Sequence, residues 1–207
     1  EKNKRKKIAF YIGSLRKGGA ERVFVNLAEY FRREGYRVVM VTQYQKEEEY
    51  DLPDGVERIL SEIGEEKVCS SRVLNFLRRL NKLHAIWKGQ KPDLVLSCIG
   101  KNNFMAVVTT MGTKTKAVVS VVGEAKEEYP SRAMRVLADF LFSRAAGVIL
   151  QTERSRGFFC RKVGEKAVNC VVPKLIFQPV IENAIKYNKN GGFIKVQVKN
   201  RSDQCQI

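Results

Sequence analysis

The chain has 207 residues, of which 38 are basic and 22 acidic, for a formal charge of +16. That balance favours anionic partners: phosphorylated ligands, nucleic acid or an anionic membrane surface. A hydrophobic content of 44% excludes wholesale disorder, and the length suffices for one sizeable α/β domain with something left over.

The five cysteines (Cys69, Cys98, Cys160, Cys170 and Cys205) form no Cys-x-x-Cys pair, and His84 is the one histidine. A metal site or a disulfide framework is not expected, and a reducing, cytoplasmic setting is. No apolar run reaches the roughly 18–20 residues of a membrane span. The basic start, Glu1–Lys7, leads into only Ile8–Ile12, too short for the apolar region of a signal peptide.

Ile8–Ile12 reads as a buried strand, followed by a loop from Gly13 and a helix that starts at Gly18-Gly19. Two readings of that turn stand. Adjacent glycines let a backbone approach a ligand, and a helix start offers unpaired N–H groups and a positive dipole end to a phosphate. Alternatively it is a tight turn capped by Glu21, three residues after Gly18. Residues 19–34 follow with helical spacing, Val23, Leu27, Tyr30 and Phe31 on one side, and Gly35 lies at the expected end. Arg37–Thr42 and Val56–Leu60 read as strands, separated by the acidic Glu47–Asp51 and the Pro53-Asp54-Gly55 turn.

The longest helical pattern is Val68–Gly89. Val73, Phe76, Leu77, Leu80, Leu83 and Trp87 form its apolar stripe, with Arg72, Arg78, Arg79, Lys82 and Lys88 away from it. These basic residues suit either a solvated outer face or an anionic lipid surface, where each contributes about 1 kcal/mol. His84 and Trp87 read as core or boundary residues. Asp93–Cys98 is a strand, Asn102–Gly112 a helix, Ala117–Val122 a strand, Arg132–Arg144 a helix and Gly147–Gln151 a strand. Thr152–Val163 reads as one helix capped by Thr152, and Ala167–Val172 as the last strand. Alternating strands and helices with short connections predict a Rossmann-like parallel sheet with helices on both faces. Ligands of such sheets sit at the carboxyl ends of strands, where Gly13–Gly19 falls, which favours ligand contact for the glycines. Nucleic-acid binding is not expected, for want of a zinc finger, an aromatic RNA-binding signature or a helix-turn-helix.

The chain resembles the amino-terminal, acceptor-side domain of glycosyltransferase family 4. The resemblance rests on Gly18-Gly19-Ala20-Glu21-Arg22-Val23 with Asn26-Leu27-Ala28, then Lys91-Pro92-Asp93-Leu94-Val95, Glu127-Glu128-Tyr129-Pro130, Ala146 to Glu153, and Val171-Val172-Pro173. It implies one half of a two-domain GT-B fold over residues 1–173, with no cofactor but a nucleotide sugar as substrate. Gly18 and Gly19 would approach the donor diphosphate. The acceptor would be a sugar or a lipid-linked sugar, met at the cytoplasmic membrane face, and the reaction a retaining transfer to a hydroxyl. The loop after Ala117–Val122 would line the acceptor side, but Val121-Val122-Gly123-Glu124 stands where many members carry His or Arg. No catalytic residue is therefore nominated; Glu124 and Lys126 are the candidate polar contacts there, against a solvated loop.

After Pro173 neither the family's basic pair nor its Glu-x7-Glu motif follows. Residues 174–207 instead predict a helix–strand extension, with Gln178-Pro179-Val180-Ile181-Glu182-Asn183-Ala184 and a strand at Phe193–Val198. This segment resembles the first ATP-binding segment of sensor histidine kinases, which implies a Mg-ATP contact for Asn183. One helix and one strand bury too little surface to fold alone. The alternative is that Ile176, Val180, Ile181 and Ile185 dock a terminal helix on the first domain. The expectation is a fused or truncated transferase half, inactive alone, or a non-catalytic module that docks on an anionic membrane or a partner.

Overall fold

The computed structural model describes residues 6–62, 70–150, 153–169, 199–201 and 204–206. Seven strands, β1 (Lys7–Ile12), β2 (Arg37–Thr42), β3 (Glu57–Leu60), β4 (Leu94–Cys98), β5 (Lys116–Val121), β6 (Gly147–Leu150) and β7 (Ala167–Asn169), form one sheet in the order β3-β2-β1-β4-β5-β6-β7. Every neighbouring pair is parallel. The order reverses direction between β1 and β4, which makes their carboxyl ends the switch point where open α/β sheets take ligands. Ile8, Phe10 and Ile12 point to one face with Val38, Met40, Phe24 and Ala28. Ala9 and Tyr11 point to the other with Val39, Val41, Leu83 and Trp87. This period-two division between two covered faces is why the strands read as continuous apolar runs.

Helix α1 (Gly19–Arg33) follows β1 and ends as the sequence predicts. Gly35 takes φ +85. Its N–H donates to Arg32 O and that of Tyr36 to Phe31 O, each at 3.0 Å, which closes the helix in a Schellman motif. Its buried side chains are Phe24 and Ala28, whereas Tyr30, predicted to face inward, is exposed.

The predicted stripe of the next helix is only half right. Helix α2 runs Arg72–Gln90, with Ser71 Oγ accepting from Leu74 N at its start. Leu83 and Trp87 are fully buried, but Val73, Phe76 and Leu77 are 70%, 51% and 48% exposed. The cause is length. Nineteen helical residues span about 28 Å, whereas the six-residue strands beneath span about 20 Å, so the first turns overhang the sheet. His84 is a boundary residue, its Nδ1 2.7 Å from Thr109 O, and Trp87 Nε1 donates to Thr109 Oγ1 at 2.9 Å.

Helix α3 (Lys101–Thr110) follows β4, and α4 (Ala125–Glu128) and α5 (Arg132–Phe142) follow β5. The helix predicted from Thr152 to Val163 is instead two, α6 (Glu153–Phe158) and α7 (Arg161–Lys166). Phe159 between them turns into the core against Tyr129 and Phe142. Cys160 N donates to Asp139 Oδ1 at 2.7 Å, a bond that takes the amide out of any helical ladder. Thr152, the predicted cap, lies outside the described residues. So do Asn183 and the strand predicted at Phe193–Val198. Farther on, β8 (Lys199–Arg201) and β9 (Gln204–Gln206) form an antiparallel pair in which Asn200 faces Cys205.

Candidate functional site

The loop after β1 is held by groups far from it in sequence. Glu49 accepts hydrogen bonds from Leu15 N at 3.1 Å and Lys46 N at 2.9 Å, and pairs with Arg58 Nη1 at 2.5 Å. Tyr50 N donates to Leu15 O at 2.8 Å, and Arg16 bridges Glu49 through the backbone. Burial works to raise the Glu49 carboxyl. The Arg58 hydrogen bond, the two amides and the Arg58 charge outweigh it and hold the group below its ordinary 4.5. The run Glu47–Asp51, read in sequence as connecting loop, thus carries the anchor of the glycine turn.

Gly18 is the N-cap of α1, at φ −126 and ψ 170, a conformation open to any residue. Its missing side chain matters for a different reason. A Cβ there would fall 2.4 Å from Glu21 Oε2, so the Glu21 carboxylate lies where a side chain would. The first bond of the helix is Arg22 N to Gly18 O, 3.1 Å, which leaves the amides of Gly19 and Ala20 at the open end. No hydrogen bond joins Gly18 N to Glu21, so the capping-box reading does not hold. Burial raises the Glu21 carboxyl above its ordinary 4.5, partly offset by a hydrogen bond from its own amide.

Across the switch point a polar cluster lines the sheet edge. Gln43 Nε2 donates to Tyr11 Oη at 2.8 Å and to Asn102 Oδ1 at 2.9 Å. Tyr11 is buried, and that burial pushes its phenol up to about 12. Asn103, fully buried, accepts from Ser97 Oγ at 2.8 Å and donates to Ser120 O at 2.9 Å and Tyr129 Oη at 3.1 Å. Burial also raises Tyr129. The Glu128 carboxylate accepts from Gly100 N at 2.8 Å through Oε2, and from Val122 N at 2.9 Å and Gly123 N at 3.0 Å through Oε1. Ile99, at φ +71, and Gly100, at φ +49, begin the β4–α3 turn. A β-branched residue with positive φ is strained, and such strain gathers at ligand-facing turns. Cys98 beneath them is buried, and its thiol is driven well up by burial and then by the nearby Glu21 and Glu128 carboxylates. It is a neutral core thiol. Among the described residues no three His, Cys, Asp or Glu side chains gather as a metal site.

Two cavities open along this edge. A small one of about 180 Å³ includes Gln43, Tyr44, Arg79 and Met105 in its lining. A larger one of about 500 Å³ lies beyond β5 and β6, between α4, α5 and α6, and brings Glu124 and Lys126 together with Arg135 and Arg154. Glu124 is the half-buried N-cap of α4, at the end of the loop after β5, and Lys126 is exposed on α4; Ala125 N donates to Ser155 Oγ at 3.2 Å, which ties α4 to α6. Gly18 and Gly19 do not line either cavity; the small one lies at the end of β2, next to β1, and the large one at the ends of β5 and β6, farther along the sheet edge. The sequence signalled the glycines and Glu124. It carried no mark of Asn103, Glu49 or Arg135, whose partners include Leu15, Arg58, Ser120 and Phe158, 9 to 34 residues away.

Residues 18–174 match the family model of the glycosyl transferase 4-like domain. No curated protein sequence matches the chain. Among solved structures, Anabaena HepE in complex with UDP and glucose superposes with a TM-score of 0.60 at 15% identity, over 79% of this chain and 43% of that one. The lipopolysaccharide outer core galactosyltransferase WaaB does so with a TM-score of 0.60 at 12% identity, over 79% and 44%. Sucrose-phosphate synthase from Thermosynechococcus elongatus gives 0.56 at 13%, over 74% and 44%. The chain thus spans less than half the length of these proteins, and at such identities the likeness is one of fold.

Proposed function

The chain belongs to the glycosyl transferase 4-like domain family, and from that premise we propose that it forms the acceptor side of a retaining, nucleotide-sugar-dependent glycosyltransferase. The observation that carries this reading is the placement of Gly18-Gly19. They open a 15-residue helix at the carboxyl end of a strand beside the switch point, where helix amides and dipole suit a leaving diphosphate. The bond that breaks joins the donor's anomeric carbon to the diphosphate, and the one that forms joins that carbon to an acceptor hydroxyl. Amides fixed before reaction stabilise the charge that develops on the leaving oxygen without reorganising.

Amide NMR titration of the chain with UDP-glucose tests this reading at millimolar concentration. Shifts centred on residues 13–21 and abolished by Gly19→Val are expected. A saturating titration that leaves those amides unmoved would sink the diphosphate contact. The chain alone is expected to turn over no sugar, since half a cleft holds the donor weakly; measurable transfer by purified chain refutes that.

A second reading, a module that docks on an anionic membrane, has one observation in its favour. The overhanging start of α2 exposes Val73, Leu74, Phe76 and Leu77 beside Arg72 and Arg79. An amphipathic helix of that kind inserts its apolar face among headgroups while cations meet anionic lipid. The basic set is smaller than the sequence suggests, because Lys82 donates to the backbone oxygen of Glu62 and Arg79 also lines the small cavity. Sedimentation with anionic vesicles decides the matter. Binding that survives high salt and falls on Phe76→Ser with Leu77→Ser supports insertion, and absence of binding at low salt ends the reading. Among the described residues no helix is long and apolar enough to cross a membrane. The Mg-ATP contact suggested for Asn183 is a separate proposal, which lack of Mg-ATP binding by the chain would end.

A further inference from the structure

The cavity between α4, α5 and α6 gathers several charged side chains. Its lining holds Lys126, Arg135 and Arg154 alongside Glu124 and Glu127. Among the described residues none of these five side chains takes part in an ion pair or a side-chain hydrogen bond. At about 500 Å³ it falls in the range of small-molecule sites. The walls are fixed rather than fluid. Ser155 is buried at 1% exposure and accepts from Ala125 N, and the Arg135 guanidinium lies 4.8 Å from the Phe158 ring centroid. Stacking of that kind holds a planar fork of donors in one orientation.

Three cations in a concave site, with one of them pre-oriented, call for an anion. A guanidinium matches a phosphate or a carboxylate in bidentate geometry, and charge-assisted hydrogen bonds are the strong ones. The two carboxylates cannot serve that anion. They can accept hydrogen bonds from hydroxyl groups, and by repelling the anion they orient it toward Arg135 and Arg154 on the facing helices. A ligand with hydroxyls at one end and a negative group at the other satisfies both halves of the lining.

We propose that this cavity receives the acceptor, and that the acceptor is an acidic sugar, a polyol that carries a phosphate or a carboxylate. The assignment rests on the glycosyltransferase reading. Arg135 and Arg154 engage the anion, Lys126 adds to the field, and Glu124 and Glu127 take sugar hydroxyls. Strands β4 and β5 stand between β1, which leads to Gly18-Gly19, and β6, which leads to α6 of the cavity, so the transferred sugar would lie along their carboxyl ends.

The test titrates the full chain, at fixed ionic strength, with glucose 6-phosphate, glucuronate, glucose and inorganic phosphate, followed by calorimetry and amide NMR. At least one acidic sugar is expected to bind about tenfold tighter than both glucose and inorganic phosphate, with shifts centred on residues 124–127 and 154–158. The tighter of the two acidic sugars identifies the anion as phosphate or carboxylate. Arg135→Gln and Arg154→Gln are each expected to weaken that binding by about tenfold, with the thermal midpoint of these exposed-site variants unchanged. Equal binding of glucose and the acidic sugars, inorganic phosphate binding as tightly as either, or affinity retained in the double variant would each overturn the assignment. So would no binding at all. Failure here with UDP-glucose shifts intact at residues 13–21 removes only the acidic acceptor, whereas loss of the UDP-glucose shifts removes the transferase reading.

Discussion

Asn103→Leu replaces the buried amide at the floor of the switch point with an apolar side chain of similar size. The native amide makes three hydrogen bonds, from Ser97 Oγ at 2.8 Å, to Ser120 O at 2.9 Å and to Tyr129 Oη at 3.1 Å, all in a site with no solvent exposure. The substitution leaves a hydroxyl, a carbonyl and a phenol short of a partner. Each buried group left unsatisfied costs about 1–3 kcal/mol. Tyr129 Oη keeps a contact with Gly100 O at 3.4 Å, and Ser97 is free to rotate its hydroxyl, which puts the total nearer the low end, about 3–4 kcal/mol. For a chain of this size each kcal/mol lowers the melting temperature by about 2–4 °C, so a fall of about 6–16 °C is expected. Urea denaturation followed by circular dichroism measures it, with an unchanged m-value showing that only stability has moved. A loss below about 1 kcal/mol refutes the argument that this amide holds β4, β5 and Tyr129 together.

Glu49→Gln removes the charge that Arg58 pairs with, at a side chain only 8% exposed; a cost of about 1–2 kcal/mol is expected at pH 7. The folded Glu49 carboxyl is depressed, so its contribution is present above the ordinary 4.5 and fades as pH falls below it; a stability difference that persists undiminished in acid would contradict the pairing. Glu21 behaves in the opposite sense. Its folded carboxyl is raised above 4.5, so its ionised form costs stability as pH rises through the folded value, and Glu21→Gln is expected to stabilise the chain at pH 7 and do nothing at pH 4. Equal effects at both pH values in thermal scans would show that charge is not the cause. Along α2, Leu83→Ala is expected to cost about 2–5 kcal/mol and Leu77→Ala under about 0.5 kcal/mol; comparable losses in denaturant titrations would mean that Leu77 is buried after all.

The sheet was legible because its residues obey local rules. Strands buried on both faces announce themselves as Val-Val-Met-Val or Leu-Val-Leu, and Gly35 stands where a helix must reverse its backbone. What was not legible depends on length and on distance. Nothing local in Val73, Phe76 and Leu77 distinguishes them from Leu83, because periodicity gives the face of a helix and not how far the sheet beneath it extends. Phe159 and Asp139 break a helical pattern through contacts 17 to 30 residues apart. The glycine turn was visible as a motif, while of its supports Glu49 sits in a stretch whose composition says only that it is polar, and Arg58 in a strand whose pattern does not say what its side chain reaches.

One carboxylate has a mechanical consequence. Glu128 holds Gly100 N with one oxygen and the amides of Val122 and Gly123 with the other. The turns that leave β4 and β5 are therefore fastened to a single rigid plane of three atoms and share its freedom of movement. Neither turn tilts without drawing the other, as two gates hung on one hinge post swing together. The strained Ile99 turn and the segment that leads into the charged cavity are thus tied through the Glu128 carboxylate, in addition to the Asn103 and Tyr129 hydrogen bonds.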